Sequence, residues 1–252
     1  MIGITLLFVA GVCGGMVNTL AGGGSFITFP ALLAVGVPPV MANASNTFAS
    51  TAGYLSGAWA LRGQITVPRA RLMLMAVLSV LFGGVGAWAL TQTSNNQFQT
   101  VIPWLLLFAT LLFISGGAIN RRLQLLASAS GALSKMNVIF WFIFVGIAIY
   151  GGFFNAGLGI LLLSYLSLAG YSDVNEMNAL KLLCSAMISS SAILIFVVEG
   201  LISVPETGVL LLGTLVGGYA AGALSTRLSQ RLVRNLIILV SSGITAYFFI
   251  AA

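Results

Sequence analysis

The chain has 252 residues, 59% of them hydrophobic and only 6% charged, with ten basic side chains, four acidic ones and no histidine. Soluble domains carry roughly 25% charged residues, so a soluble fold is excluded. Four carboxylates (Asp173, Glu176, Glu199, Glu206), two cysteines and no histidine leave no material for a usual zinc site or a Ser-His-Asp triad, so neither a metal, a cofactor nor hydrolytic chemistry is expected.

In chain order, the N-terminal MIGITLLFVAG is apolar but lacks a preceding basic region and a small-x-small cleavage pattern, and so does not read as a removable signal peptide. It opens an apolar region at 2–36 that is broken by NTLAGGGSFITFP, residues 18–30, where three consecutive glycines each cost about 1 kcal/mol in a helix. Runs of membrane-spanning length follow at about 42–61, 72–91 and 101–119. A second apolar region at 137–170 contains GGFFNAGLGI at 151–160, and three more runs lie at about 177–198, 207–226 and 235–252. The expected class is an all-α polytopic membrane protein. Cys13 and Cys184 lie far apart in apolar segments and read as small buried hydrophobes, with no disulfide implied. The net charge of +6 comes from residues scattered between spans, not from a patch with interleaved aromatics, so no nucleic-acid partner is expected.

Basic residues in short loops favour the cytoplasmic side. Arg62, Arg69 and Arg71 place one loop inside, Arg121, Arg122 and Lys135 a second, and Arg227, Arg231 and Arg234 a third. The uncharged loop at 91–100 and the acidic connection from Glu199 to Glu206 fit the outside. Span 42–61 then runs inward while span 177–198 runs outward, so the two halves have opposite orientations. Each half begins with a region that must start and finish on one side, and is therefore a hairpin, made of two short spans or a re-entrant pair. Both termini are expected on the non-cytoplasmic face.

A constant offset of 135 residues relates Ala21 to Ala156, Gly22 to Gly157, Gly24 to Gly159, Asn43 to Asn178, Asn46 to Lys181 and Ser50 to Ser185. The sequence thus predicts two inverted-topology repeats, 1–125 and 126–252, each a glycine-broken hairpin (2–36, 137–170) followed by three spans.

Irregular backbone at membrane depth is tolerated only where it is buried in protein or lines a cavity. Half-helices of about 15 residues reach roughly 22 Å, enough to bring two glycine-broken tips together near the middle of a roughly 30 Å core. There the half-helices beginning near Ser25 and Ile160 present free N–H groups and a positive dipole end, a site suited to an anion. The candidate binding residues at the tips are Asn18, Gly22, Gly23, Gly24, Ser25, Asn155, Gly157 and Gly159. Behind each tip runs a polar stripe at i, i+3 and i+7: Asn43, Asn46 and Ser50 in one half, Asn178, Lys181 and Ser185 in the other. Lys181 is the one basic residue well inside an apolar span, either a functional charge or a boundary lysine that snorkels or pairs with Glu176 or Asp173. Gly83, Gly84, Gly86, Gly217, Gly218 and Gly222 read instead as helix-packing glycines.

At these residues the chain resembles the TauE/SafE sulfite exporter family, through NTLAGGGSFITFPALLAVGVPPVMANASNTFAS in the first half and YGGFFNAGLGILLLSYLSLAGYSDVNEMNALKLLCSA in the second. The resemblance implies a bacterial inner-membrane permease for sulfite, organosulfonates or related anions. It adds Thr47, where relatives often carry lysine, to the candidate site. The expected function is that of a permease or exporter for a small sulfur-containing anion working by alternating access, without obligatory proton coupling because no carboxylate or histidine lies within a span; sodium coupling through hydroxyl, amide and carbonyl oxygens and the direction of net flux stay open. An anion channel on the same repeat, and a membrane enzyme or assembly subunit, are the alternatives. The expected partners are a small anionic substrate and the lipid bilayer, with a homo-oligomer left open.

Overall fold

A computed structural model describes residues 2–130, 137–224 and 230–251. Among these, all regular structure is helical: α1 (Ile2–Ala21), α2 (Ser25–Ala34), α3 (Pro39–Ala60), α4 (Arg69–Thr91), α5 (Asn95–Ser130), α6 (Asn137–Phe153), α7 (Leu158–Leu168), α8 (Val174–Val198), α9 (Val204–Leu224) and α10 (Gln230–Ala251). A short 3-10 turn, Arg62–Gln64, leads from α3 towards α4. Among the described residues, four segments are long and apolar enough to cross a membrane, Ile2–Thr19, Arg69–Thr91, Val174–Val198 and Val204–Ala221.

The helices start a few residues before the apolar runs because a first turn tolerates polar residues and proline. Pro39 occupies the first turn of α3, and the Asp173 carboxylate caps α8 by accepting from the Asn175 N–H at 2.8 Å. Helix α5 continues past the expected end at 119 to Ser130, so the segment of Arg121 and Arg122 is helical instead of a loop. Lys135 and Arg227 lie outside the described residues, as do the side chains of Arg121, Arg122, Arg231 and Arg234 and the surroundings of Gly222.

The hairpin limbs are unequal, contrary to the expectation of two half-helices of similar length. Helix α1 has 20 residues and α2 has 10, about 30 and 15 Å long; α6 has 17 and α7 has 11. The short limbs end early because Gly36 and Gly170 adopt φ of +90° and +89° just beyond them. In both turns the next N–H reaches back to close the helix, Val37 to the Leu32 carbonyl at 3.1 Å and Tyr171 to that of Leu166 at 3.0 Å.

Helices α3 and α8 lie side by side, with α1 and α9 against each other on the α3 flank and α6 and α4 on the α8 flank. Thr110 of α5 and Thr245 of α10, 135 residues apart, share a hydrogen bond of 3.2 Å. Lipid offers helices no hydrophobic reason to associate, so tight packing rests on small residues. A Cβ on Gly11 would stand 2.6 Å from the Leu210 carbonyl oxygen, and one on Gly213 2.5 Å from that of Phe8. Cβ atoms on Gly15 and Gly217 would run into Thr214 and Val12, and on Gly86 and Gly152 into Ile149 and Gly83. Gly84 is different: only the Ile195 Cδ1, 3.8 Å away, lies near it, so the packing role expected for this glycine is absent. Gly218 meets only the Thr19 hydroxyl oxygen, at 3.4 Å.

The outer surface is apolar, with Trp59, Trp88, Trp104 and Phe142 all more than half exposed, as a lipid-facing shell requires. Cys13 is on this exposed surface and only Cys184 is buried; both are free thiols. The burial expected for Cys13 fails because lipid accepts apolar side chains on the outside of α1.

Gly217→Ala and Gly86→Ala should each lower the stability of the detergent-purified protein by about 1–3 kcal/mol through overpacking against backbone. Gly84→Ala should leave stability unchanged or raise it by up to about 1 kcal/mol through helix propensity. Thermal denaturation of the three variants checks the ranking.

Candidate functional site

The first break is made by Gly22, whose φ of +80° ends α1 with its N–H bonded to the Asn18 carbonyl at 3.0 Å. Gly23 and Gly24 then turn the chain into α2, their carbonyls accepting the N–H groups of Phe26 at 3.1 Å and Ile27 at 3.0 Å. At the second break Phe154, Asn155 and Ala156 lead to Gly157 at φ +81°, which starts α7 at Leu158, two residues before the expected Ile160. Gly22 therefore closes a helix whereas Gly157 opens one. A positive φ is needed at both, and glycine supplies it without a Cβ penalty.

The two breaks meet. A Cβ on Gly22 would lie 3.5 Å from the Gly159 Cα, and one on Gly159 would lie 3.4 Å from both the Gly22 carbonyl oxygen and the Lys181 Cδ. Gly24 is glycine for another reason: a Cβ there would overlap the Gly14 carbonyl oxygen on the other limb of its own hairpin. Gly23 and Ser25 are buried beside it.

Both polar stripes face inward. Asn43, Asn46, Thr47 and Ser50 are buried, as are Lys181 and Ser185, while Asn178 is half-buried. The stripes reach the breaks directly. Asn43 Nδ2 donates to the Phe153 carbonyl at the end of α6, at 2.8 Å, and Asn46 Oδ1 accepts from the Thr28 hydroxyl of α2, at 2.5 Å. The Thr47 hydroxyl instead donates to the Asn43 carbonyl within its own helix, at 2.9 Å. Lys181 donates to Asn178 Oδ1 at 3.0 Å. The carboxylates once open as its partners are engaged elsewhere: Asp173 caps α8, and Glu176 accepts from the Thr66 N–H at 2.9 Å and from the Thr66 hydroxyl. With 4% of its surface exposed, Lys181 does not snorkel.

Asn155 is held between the two halves. The Tyr54 hydroxyl of α3 donates to Asn155 Oδ1 at 2.8 Å, and Asn155 Nδ2 donates to the Ser189 hydroxyl of α8 at 2.8 Å. Tyr54 and Ser189 were missed in the sequence, although each continues its stripe by one helical turn and the pair has the same offset of 135 residues. Thr28 was also missed, and only its contact with Asn46 reveals it. Several buried polar atoms have no partner: Oδ1 of Asn18 and Asn43, Nδ2 of Asn46 and Oγ of Ser185. Buried polar groups are normally satisfied, so these four atoms are candidates for contact with water or a ligand.

A cleft of about 380 Å³ runs between α1, α2, α3 and α9, with Asn18, Gly24 and Ser50 in its wall and the exposed Ser56 and Tyr219 towards its rim. The second break packs against a cluster of aromatic rings. Phe29, Phe98 and Phe154 are fully buried, with ring centroids 5.6 Å apart for Phe29 and Phe154 and 6.2 Å for Phe98 and Phe154.

Tyr54→Phe should leave Asn155 Oδ1 buried without a donor and lower stability by about 1–3 kcal/mol, with Ser189→Ala exposing the same weakness from the amide side. Combining the two should cost less than their sum, because both act through one side chain. Thermal denaturation of the single and double variants measures this.

The family model described as sulfite exporter TauE/SafE matches residues 7–248. A probable membrane transporter protein of Haemophilus influenzae is 25% identical over 96% of this chain and 93% of its own length. The probable membrane transporter protein YfcA of Escherichia coli K12 is 24% identical over 96% of this chain and 87% of its own, and the probable membrane transporter protein ORF9 of a Sinorhizobium species is 25% identical over 94% and 89%. No solved structure matches the chain at a significant level. An apolar shell around paired broken hairpins, matched from end to end by one family of transporters, places the chain in that family: it is a multi-pass membrane protein that belongs to the TauE/SafE sulfite exporter family.

Proposed function

We propose that this chain is an inner-membrane permease for a small anion, a sulfur oxyanion or organosulfonate, built from two inverted repeats at 1–125 and 126–252 with both termini on the non-cytoplasmic face. The observation that carries the reading is the contact of Gly22 with Gly159 beside the stem of Lys181. The first turn of α7, bare of a side chain at Gly159, and one buried cation converge there, and such a place suits a negative group. The substrate contacts are Asn18, Asn43, Asn46 and Ser185 through their unpaired atoms, and Lys181 through its charge. The family and the names of its relatives support transport; the sulfur-containing anion rests on the family description.

The flank closed by Phe29, Phe98 and Phe154 lies towards the uncharged 91–100 loop, and the open cleft lies towards Arg62. With the basic loops inside, the cleft beside Asn18 faces the cytoplasm and the aromatic cluster lies on the outer side, the arrangement of one of the two states of alternating access. All four carboxylates sit at helix ends, in the cap or first turn of α8, the C-terminal cap of α8 and the first turn of α9. That leaves no acidic group at mid-membrane to carry an obligatory proton.

Without a coupled proton, a monoanion moving outward gains about 2.3 kcal/mol per 100 mV of inside-negative potential. In proteoliposomes with an alkanesulfonate, a monoanion at any working pH, on both sides, a potassium-valinomycin potential should drive net movement to the positive side, and a pH gradient at zero potential should drive little. Proton-driven accumulation at fixed stoichiometry would overturn uniport. Lys181→Ala should weaken sulfite binding roughly 10- to 100-fold, the equivalent of the ~1.5–3 kcal/mol contributed by a hydrogen bond to a charged group. Unchanged binding would remove Lys181 from the site.

A further inference from the structure

A separate cavity of about 230 Å³ lies where the first turn of α4 meets α6 and the end of α7, and it shares no residue with the cleft or the breaks. Arg71, Tyr165, Tyr171, Phe140 and Trp141 line it. The Arg71 side chain is exposed, and its guanidinium carbon lies 6.0 Å from the centroid of the Tyr171 ring. The Tyr171 hydroxyl is buried beside the Arg71 guanidinium, and its own proton meets no acceptor in the protein. Burial holds its pKa above the ordinary tyrosine value, against the pull of Arg71, so it is a protonated donor with nothing to donate to. The nearby carboxylate, Glu176, accepts from the Thr66 N–H and hydroxyl. Tyr165 is fixed by edge and tilted contacts with Phe140 and Phe144, at 6.3 and 5.2 Å.

We propose that this cavity binds a phosphate group, with the Arg71 guanidinium as its charge and the Tyr171 hydroxyl as a second donor. A planar guanidinium matches two oxygens of a tetrahedral oxyanion, and an orphan hydroxyl beside it supplies a third contact. The aromatic walls are suited to an apolar substituent rather than to a second charge. The adjoining face of α6 is apolar and exposed, with Val138 at 65%, Ile139 at 62% and Phe142 at 73%. An anionic phospholipid would lay its acyl chains along that face with its phosphate at Arg71, in the leaflet where basic residues gather. A soluble phosphate would use the same two donors without the α6 face.

The test uses the delipidated full-length protein in detergent, with phosphatidylglycerol, diacylglycerol and inorganic phosphate as separate probes read by native mass spectrometry and thermal shift. Phosphatidylglycerol should bind at one molecule per chain, and Arg71→Gln and Tyr171→Phe should each weaken it at least fivefold. Arg62→Gln, whose guanidinium is tied to the Trp59 carbonyl at 2.7 Å, should not. Inorganic phosphate binding with the same dependence on Arg71, without phosphatidylglycerol binding, would assign the site to soluble phosphate. The conservative Tyr171→Phe decides the matter if Arg71→Gln fails to fold. The proposal is overturned if diacylglycerol binds as well as phosphatidylglycerol, if no probe binds, or if the folded variants bind within twofold of the parent.

Discussion

A backbone amide inside hydrocarbon has no water to turn to, so a chain that breaks its helices at membrane depth must bury the breaks against its own atoms. That constraint organises this molecule. Each hairpin tip leaves N–H and C=O groups outside a helical ladder, and neighbouring elements close around them: the Phe153 carbonyl takes Asn43 Nδ2, and the Ala156 carbonyl takes the Tyr150 hydroxyl at 2.8 Å. Asn155 is clamped by both long inner helices. The polar stripes on α3 and α8 therefore have a structural duty before any transport duty. What they leave unsatisfied, on Asn18, Asn43, Asn46 and Ser185, is the part that structure alone does not explain.

The breaks can meet only because the surrounding helices come unusually close. Glycines on α1 and α9 interlock with carbonyls of the partner helix, and those on α4 and α6 do the same. With no hydrophobic gain from leaving lipid, this close approach supplies the dispersion contacts that hold each hairpin in place. The cost is a surface studded with large apolar residues, which the bilayer accepts.

The two flanks around the meeting point are not alike. Position for position at the offset of 135 residues, Asn18 and Thr19 stand where the other half has Phe153 and Phe154. The small polar pair borders an open cleft, while Phe154 joins a buried aromatic cluster. The two positions thus differ through side-chain volume, small and polar beside the cleft, large and aromatic at the second break.

Much of this was legible without coordinates, for identifiable reasons. Membrane residence followed from the absence of charge, the hairpins from glycines that a helix does not favour, and the stripes from the spacing of Asn43, Asn46 and Ser50. These are local properties, fixed by propensity and the 3.6-residue period. Tertiary structure decided what local properties cannot. It determined that Gly22 faces Gly159 rather than its sequence partner Gly157, a matter of how the two hairpins dock. It showed that Gly24 is required by Gly14 and that Gly84 packs against almost nothing, since the direction of a missing side chain depends on which helix lies opposite. It also joined Tyr54, Asn155 and Ser189, residues separated by up to 135 positions, whose contact is a matter of helix placement in space.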